Sequence, residues 1–305
     1  MISVLNDTSS SDSDNRPFGI EEEVLHFVKS SCKCGLSSTI EEIQERVAAG
    51  NRELAAECIA AITSLQKSGS ILVEGGEVSL CGGKTAGDAH ERRKRGNDYM
   101  SFGVSFLEKI LPSVPEVIMA GICGSVSYGS AAEGDDVDII LICRSGSLWS
   151  VLKKVLLAAR TVRKKESWRP VICLSYCAED SAFREEMANH RTGLFASDCL
   201  NIRVVKGEDY YCNVLAGNGW MRYFFPAAYA ARLRDGVRRE PQNEDRNISR
   251  NVLDYMLIGN YLKVMARMRN LVFHLKGRDS ALFTARIERD RCIYASDRWK
   301  KLEES

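Results

Sequence analysis

From Phe18 onward the apolar positions fall into short periodic runs, and each run predicts an element. GIEEEVLHFVKSS places Ile20, Val24, Leu25 and Val28 at helical spacing. SSTIEEIQERVAAG opens with two alternative capping boxes, Ser38 with Glu41 or Thr39 with Glu42, and closes at Gly50. NRELAAECIAAITSLQKSG starts on an Asn51 cap, carries Leu54, Cys58, Ile62 and Leu65 on one face and stops at Gly69. SILVEGGEVSLCGG then alternates on either side of Gly75-Gly76, which predicts a β-hairpin. Next, HERRKRGNDYMSFGVSFLEKIL puts Phe102, Phe106, Leu107, Ile110 and Leu111 at helical spacing until Pro112 and Pro115 stop it.

Three helices and a hairpin over residues 17–84 predict a winged helix, joined to the next domain by a connecting helix over 85–112. DNA binding by a winged helix needs a basic surface on its third helix. Here Arg52 and Lys67 are offset by Glu53 and Glu57, so a docking or dimerisation module is expected. The basic cluster at the start of the connecting helix reads as a solvated face. CGGKT imitates a phosphate loop, but the Gly that the pattern needs five positions before Gly83 is Val78, and the motif is set aside.

The chemistry concentrates in AGICGSVSYGSAAEGDDVDIILIC, from Ala120 to Cys143. Val117 begins a strand that ends in Gly124-Ser125, and a second apolar strand begins with Asp136 and Asp138. Residues two apart on a strand share a face, so these carboxylates converge while Val137, Ile139 and Leu141 face the other way. Two close carboxylates repel unless a cation lies between them. The simplest is Mg²⁺, with Mn²⁺ as its substitute, held by one or two carboxylates and substrate phosphates. Gly124 would let the backbone approach a phosphate, and Ser125 would offer a hydroxyl. An acidic turn over Glu133, Asp135 and Asp136 is common at surfaces. Asp138 is different, because it stands inside the apolar run and is costly there without a partner.

Gly124-Ser125, ten intervening residues, then Asp136-Val137-Asp138 and IILI resembles the signature of the DNA-polymerase-beta-like nucleotidyltransferase superfamily. LWSVLKKVLLAAR, a third strand in RPVICLSYCAED, GLFASDCLNIRVVKG, NGWMRYFFPAA and FHLKG extend the likeness to an uncharacterised prokaryotic subfamily from about Phe18 onward. The resemblance implies a small mixed-sheet core over residues 113–210 that binds a nucleoside triphosphate through Mg²⁺. It also implies transfer of a nucleoside monophosphate to an acceptor, whether a small molecule, a protein hydroxyl or an RNA end. Gly124 and Ser125 would contact the triphosphate, and Asp136 and Asp138 would hold the metal. Many active relatives carry a third carboxylate on the next strand, whereas VICLSYC has Cys173 and Ser175 in its interior. Glu179, Asp180 and Asp198 are the candidate substitutes. A catalytically degenerate nucleotide-binding regulator, with the winged helix contacting DNA or a partner protein, is the alternative.

The remaining stretches change this picture little. Over residues 211–305 a helical region is expected, with Val252, Met256, Leu257, Tyr261, Leu262 and Met265 at helical spacing and a further helix around Ser280 to Tyr294. Trp220, Tyr223, Phe224 and Phe225 read as core, His274 as a packing histidine, and Arg232, Arg234, Arg238 and Arg239 as a solvated loop face. Residues 1–16, rich in Ser, Asp and Asn, predict a disordered tail. The fold class is therefore α+β.

The 305 residues allow two or three domains, and a net charge of +1 gives no global field to recruit nucleic acid or membrane. No apolar run approaches the roughly 20 residues that span a bilayer. Eleven cysteines without a secretory leader read as reduced thiols in a cytoplasmic protein, possible as a homodimer. Cys32 and Cys34 lack the second pair that a zinc site needs.

Overall fold

The computed structural model describes residues 19–33, 36–48, 51–81, 89–165, 170–234, 252–275 and 283–296. The tail over 1–16, Cys34, Gly50, Gly83, Arg238 and Arg239 lie outside these residues. The described chain is mixed α+β with two sheets.

The N-terminal elements are α1 (Ile20–Lys33), β1 (Ser38–Thr39), α2 (Ile40–Ala48), α3 (Arg52–Lys67), β2 (Ile71–Glu74) and β3 (Glu77–Leu80). Of the two capping boxes, Thr39 with Glu42 forms: Glu42 N donates to Thr39 Oγ1 at 3.1 Å, and Thr39 N donates to Glu42 Oε2 at 2.8 Å. Asn51 Oδ1 caps α3 by accepting from the amides of Glu53 (2.9 Å) and Leu54 (3.3 Å). The hairpin turns at Gly75 and Gly76, whose φ values of 60° and 84° belong to the left-handed region that glycine enters freely. β1 adds to β3, giving a three-stranded antiparallel sheet in the order β1-β3-β2. Val24, Val28, Ile43, Cys58, Ile62 and Val78 are buried between the helices and this sheet.

The helix α4 (Ala89–Ile110) leads to β4 (Val117–Cys123), the short α5 (Gly124–Ser127), β5 (Asp136–Cys143), α6 (Leu148–Lys165) and β6 (Val171–Glu179). Then come α7 (Asp180–Asn189), α8 (Gly193–Asn201), β7 (Arg203–Lys206), α9 (Glu208–Ala216) and α10 (Pro226–Arg234). α11 (Val252–Asp254) runs through a π turn into α12 (Asn260–Leu275), and β8 (Phe283–Ile287) and β9 (Arg291–Ser296) close the described chain.

Six strands form the second sheet, in the order β7-β4-β5-β6-β9-β8. Only β5 and β6 are parallel, linked by the crossover helix α6; every other neighbour is antiparallel. Helices cover both faces, which is why β5 reads as an almost unbroken apolar run after Asp138. On one face Ile140 and Ile142 meet Phe183, Met187, Tyr211 and Phe225. On the other, Ile139 and Leu141 meet Leu107, Leu148, Leu152 and Leu262. Trp220 and Phe225 are core, as expected, while Tyr223 is exposed.

The C-terminal region is not helical throughout. Residues 283–296, where a helix was expected, form the hairpin β8–β9, with Ile287 opposite Cys292 and Ala285 opposite Tyr294. Thr284 and Arg286 alternate with Ala285 and Ile287, a period of two that suits a strand with one buried side. β9 pairs with β6 through Tyr176 and Ile293, so the far end of the chain extends the sheet that carries Asp138.

Candidate functional site

The site begins where β4 ends. Gly124 opens α5 at φ +65°, a conformation that penalises any side chain. A Cβ built there would collide with Asp138 Oδ2 and stand 3.0 Å from Asp138 Cγ. The glycine therefore does two things: it turns the chain, and it lets the backbone lie directly against the carboxylate.

Pairing brings the rest together. Asp138 is flanked by Cys123 on β4 and by Cys173 on β6, and Asp136 lies opposite Val171. Asp136, Asp138 and Cys173 each offer a ligand atom, all within 4.8 Å of one another, and all three are partly buried. Ser175 Oγ donates to Asp138 Oδ1. Beside them the acidic turn is tied down, with Ala132 N donating to Asp135 Oδ2 at 2.7 Å. From α12, Arg269 Nη2 reaches to 3.6 Å from Asp136 Oδ2.

Burial first, and the neighbouring Asp136 charge second, push the Asp138 carboxyl up to about 7. The hydrogen bond from Ser175 acts against this by favouring the carboxylate. Cys173 is held well above the usual thiol range by burial and then by the Asp138 and Asp136 charges, so its thiol stays protonated at neutral pH. Among the described residues, Arg269 is the cation that reaches the cluster, at the edge of Asp136.

These residues line a cavity of about 1140 Å³. Gly124, Ser125, Asp136, Asp138 and Asp198 share it. Asp198, on α8, accepts a 2.8 Å hydrogen bond from Tyr128 Oη. The other two candidate acids are elsewhere. Glu179 is the last residue of β6 and pairs with Cys143, at the opposite end of β5 from Asp136. It is buried there and faces Ser145 Oγ at 3.5 Å. Asp180 opens α7 and is held by Arg184 Nε (2.8 Å) and Tyr210 Oη (2.6 Å). His274 lies on α12 and does not line the cavity.

Sequence reading missed the part played by four residues. Arg92 lines the cavity although its cluster read as a solvated face; its Nε donates to Ser130 Oγ at 3.2 Å. Arg269 carries no local signal, since only the packing of α12 against the sheet brings it to Asp136. Cys173 and Ser175 were seen only as a missing acid. Their two-residue spacing, matching that of Asp136 and Asp138, was the available sign that they share a face.

Comparison of the chain with protein-family models, with curated proteins and with solved structures finds no match. Among the described residues no helix is long and apolar enough to cross a membrane.

Proposed function

We propose that this chain is a divalent-metal-dependent nucleotidyltransferase that moves a nucleoside monophosphate from a nucleoside triphosphate to an acceptor hydroxyl. The observation that carries the reading is the pairing of Asp136 and Asp138 on one strand face, with Gly124 pressed against Asp138 and Ser125 opening into the same cavity. The donor set suits a hard cation. Two carboxylates offer oxygen, the donor such a cation prefers, with the Cys173 sulfur beside them. Asp136 and Asp138 would hold Mg²⁺ or Mn²⁺, which when bound neutralises charge on the triphosphate.

In this reading Gly124 keeps the phosphate path free of a side chain, and Ser125 donates its hydroxyl to a phosphate oxygen. Ser175, bonded to Oδ1, would fix the orientation of the Asp138 carboxylate. The acceptor oxygen forms a bond to the α-phosphorus, the bond from that phosphorus to the pyrophosphate oxygen breaks, and the acceptor proton leaves to water. Positioning and electrostatics carry most of such a transfer. The matching experiment is calorimetric titration with Mg²⁺-ATP and Mg²⁺-GTP. Binding that requires Mg²⁺ and disappears in Asp136→Asn/Asp138→Asn supports the reading; no binding of any triphosphate refutes it.

One observation favours a second reading. Cys173 stands beside Asp138 on the strand where a third carboxylate would serve an active transferase, so a nucleotide-binding regulator is the competing proposal. The N-terminal helices and three-stranded sheet support its output as a winged helix. Arg52, Glu53, Glu57 and Lys67 are all exposed on α3, a mixed surface that suits a protein partner or a second copy better than DNA. Among the described residues ten cysteines are free thiols, which fits a reducing, cytoplasmic setting. Turnover with α-labelled triphosphate separates the two, because the regulator binds nucleotide without releasing pyrophosphate.

A further inference from the structure

Strand pairing fixes which wall of the cavity faces the carboxylates. Asp136, Asp138 and Ile140 alternate onto one face of β5, the face on which Ile140 meets Phe183 and Met187 of α7. On β6, Cys173 lies opposite Asp138, Leu174 opposite Ile139 and Tyr176 opposite Ile140. Ser175 is therefore one extra residue, and it shifts Tyr176 onto the face that carries the carboxylates. Two residues along a strand span about 7 Å, so Tyr176 stands one such step beyond Asp138. From there the wall continues through Phe183 and Glu186 of α7, His190 just after it and Phe195 of α8, all of which line the cavity.

The wall is aromatic, and its rings are held in place. Tyr176 and Phe183 meet edge to face at 5.8 Å, and His190 and Phe195 lie 4.8 Å apart. Behind Phe195 the buried Trp220 ring runs parallel at 6.4 Å, anchored by its Nε1 donating to Met187 O at 3.0 Å. His190 and Phe195 are half-buried, so ring surface is left to the cavity, where a planar base could stack. Two polar groups set into this wall have unused hydrogen-bonding capacity. The Tyr176 hydroxyl is buried without a hydrogen-bond partner, a costly state for such a group. Glu186 Oε2 accepts from Arg286 Nη1 at 3.3 Å and Arg291 Nη1 at 3.5 Å. Its Oε1 has His190 Nδ1 at 3.9 Å, beyond hydrogen-bonding distance. Burial first, and the nearby Glu186 charge second, hold the Tyr176 phenol well above its usual range, so it keeps its proton to donate.

We propose that this wall seats the nucleobase of the triphosphate and selects guanine. The assignment rests on the nucleotidyl-transfer reading of the same cavity. With the phosphates at Gly124, Ser125 and the carboxylates, the ribose spans the step from Asp138 to Tyr176 and the base stacks on the rings beyond. The pairing edge of guanine carries an acceptor, O6, next to two donors, N1–H and the N2 amine. Tyr176 Oη donates to O6, and Glu186 Oε1 accepts from the two donors. No other common base presents that order. Adenine turns an unprotonated N1 toward the carboxylate, uracil offers one N–H between two carbonyls, and cytosine one amine beside two acceptors. Each leaves an acceptor against Glu186, and a site built for hydrogen bonds rejects a ligand that cannot make them.

The test is calorimetric titration of the full chain with the Mg²⁺ complexes of GTP, ATP, UTP, CTP and ITP. GTP should bind tighter than ATP, UTP and CTP by about tenfold or more, with ITP, which lacks the N2 amine, in between. Glu186→Gln should bring GTP and ATP to within about threefold of each other, and Tyr176→Phe, which removes one oxygen, should weaken GTP more than ATP. Thermal melts check that each variant is folded. Glu186 also holds Arg286 and Arg291, so Tyr176→Phe carries the test if Glu186→Gln does not fold. Triphosphates that bind through Asp136 and Asp138 without a preference for GTP overturn the guanine assignment and leave the transferase reading standing. A GTP preference that survives in the folded variants places the base elsewhere and also overturns it. Binding of no triphosphate overturns the transferase reading and, with it, the base seat.

Discussion

The backbone of Gly124 lies against the carboxylate of Asp138, so closely that a single added methyl group would strike Asp138 Oδ2. Two strands, β4 and β5, bring these residues together by pairing Cys123 with Asp138. A turn residue and a charged residue are thereby made into one surface.

Gly124→Ala should therefore damage both stability and the site. The left-handed φ of +65° and the collision together are expected to destabilise the fold by about 1–3 kcal/mol. Urea unfolding measures that loss, and calorimetry should show Mg²⁺-nucleotide binding falling with it. Binding at the wild-type level in a folded Gly124→Ala protein would show that this approach is not part of the site.

The raised Asp138 carboxyl makes stability depend on pH. Its folded value of about 7 exceeds the ordinary 3.8, so between these pH values the folded protein binds more protons than the unfolded chain. Without metal, stability should be greatest near pH 4 as far as this group is concerned, and fall as pH rises toward 7. Thermal melts across that range should show the fall, and Asp136→Asn should reduce it by removing the second cause of the shift. Added Mg²⁺ is expected to oppose the fall near neutral pH, because a cation favours the deprotonated pair.

Cys173→Asp places a third carboxylate beside Asp138. In the metal-free protein the added repulsion should lower the melting temperature below that of the wild type. With millimolar Mg²⁺ the variant's melting temperature should rise by more than the wild type's, as its affinity for the cation is higher. Equal Mg²⁺ shifts in the two proteins would exclude Cys173 from the metal's surroundings.

The Asn51 cap is remote from the cavity and offers a control on the fold. Asn51→Ala removes the acceptor for two amides at the start of α3 and should cost about 1 kcal/mol in urea unfolding. Nucleotide binding should not change. A loss of binding would instead tie the N-terminal helices to the cavity.

Much of the architecture was legible because its causes are local. Caps at Thr39 and Asn51, the Gly75-Gly76 turn and the common face of Asp136 and Asp138 depend on neighbours a few residues apart, where backbone geometry alone sets the spacing. The hairpin at 283–296 is readable from its period of two, but the helical run before it extends the expectation of a helix too far. Glu179 shows the limit of proximity in sequence: it comes after Cys173 and Ser175 on the same strand, yet an extended strand carries it to the opposite end of the sheet, beside Cys143. Which strand lies next to Asp138, and which helix brings Arg269 to Asp136, depend on pairing and packing between distant segments. Sequence by itself determined where the carboxylates stand along one strand. Only the tertiary structure decided what surrounds them, because the burial that raises Asp138, the thiol of Cys173 and the aromatic wall of the cavity exist only once remote elements pack together.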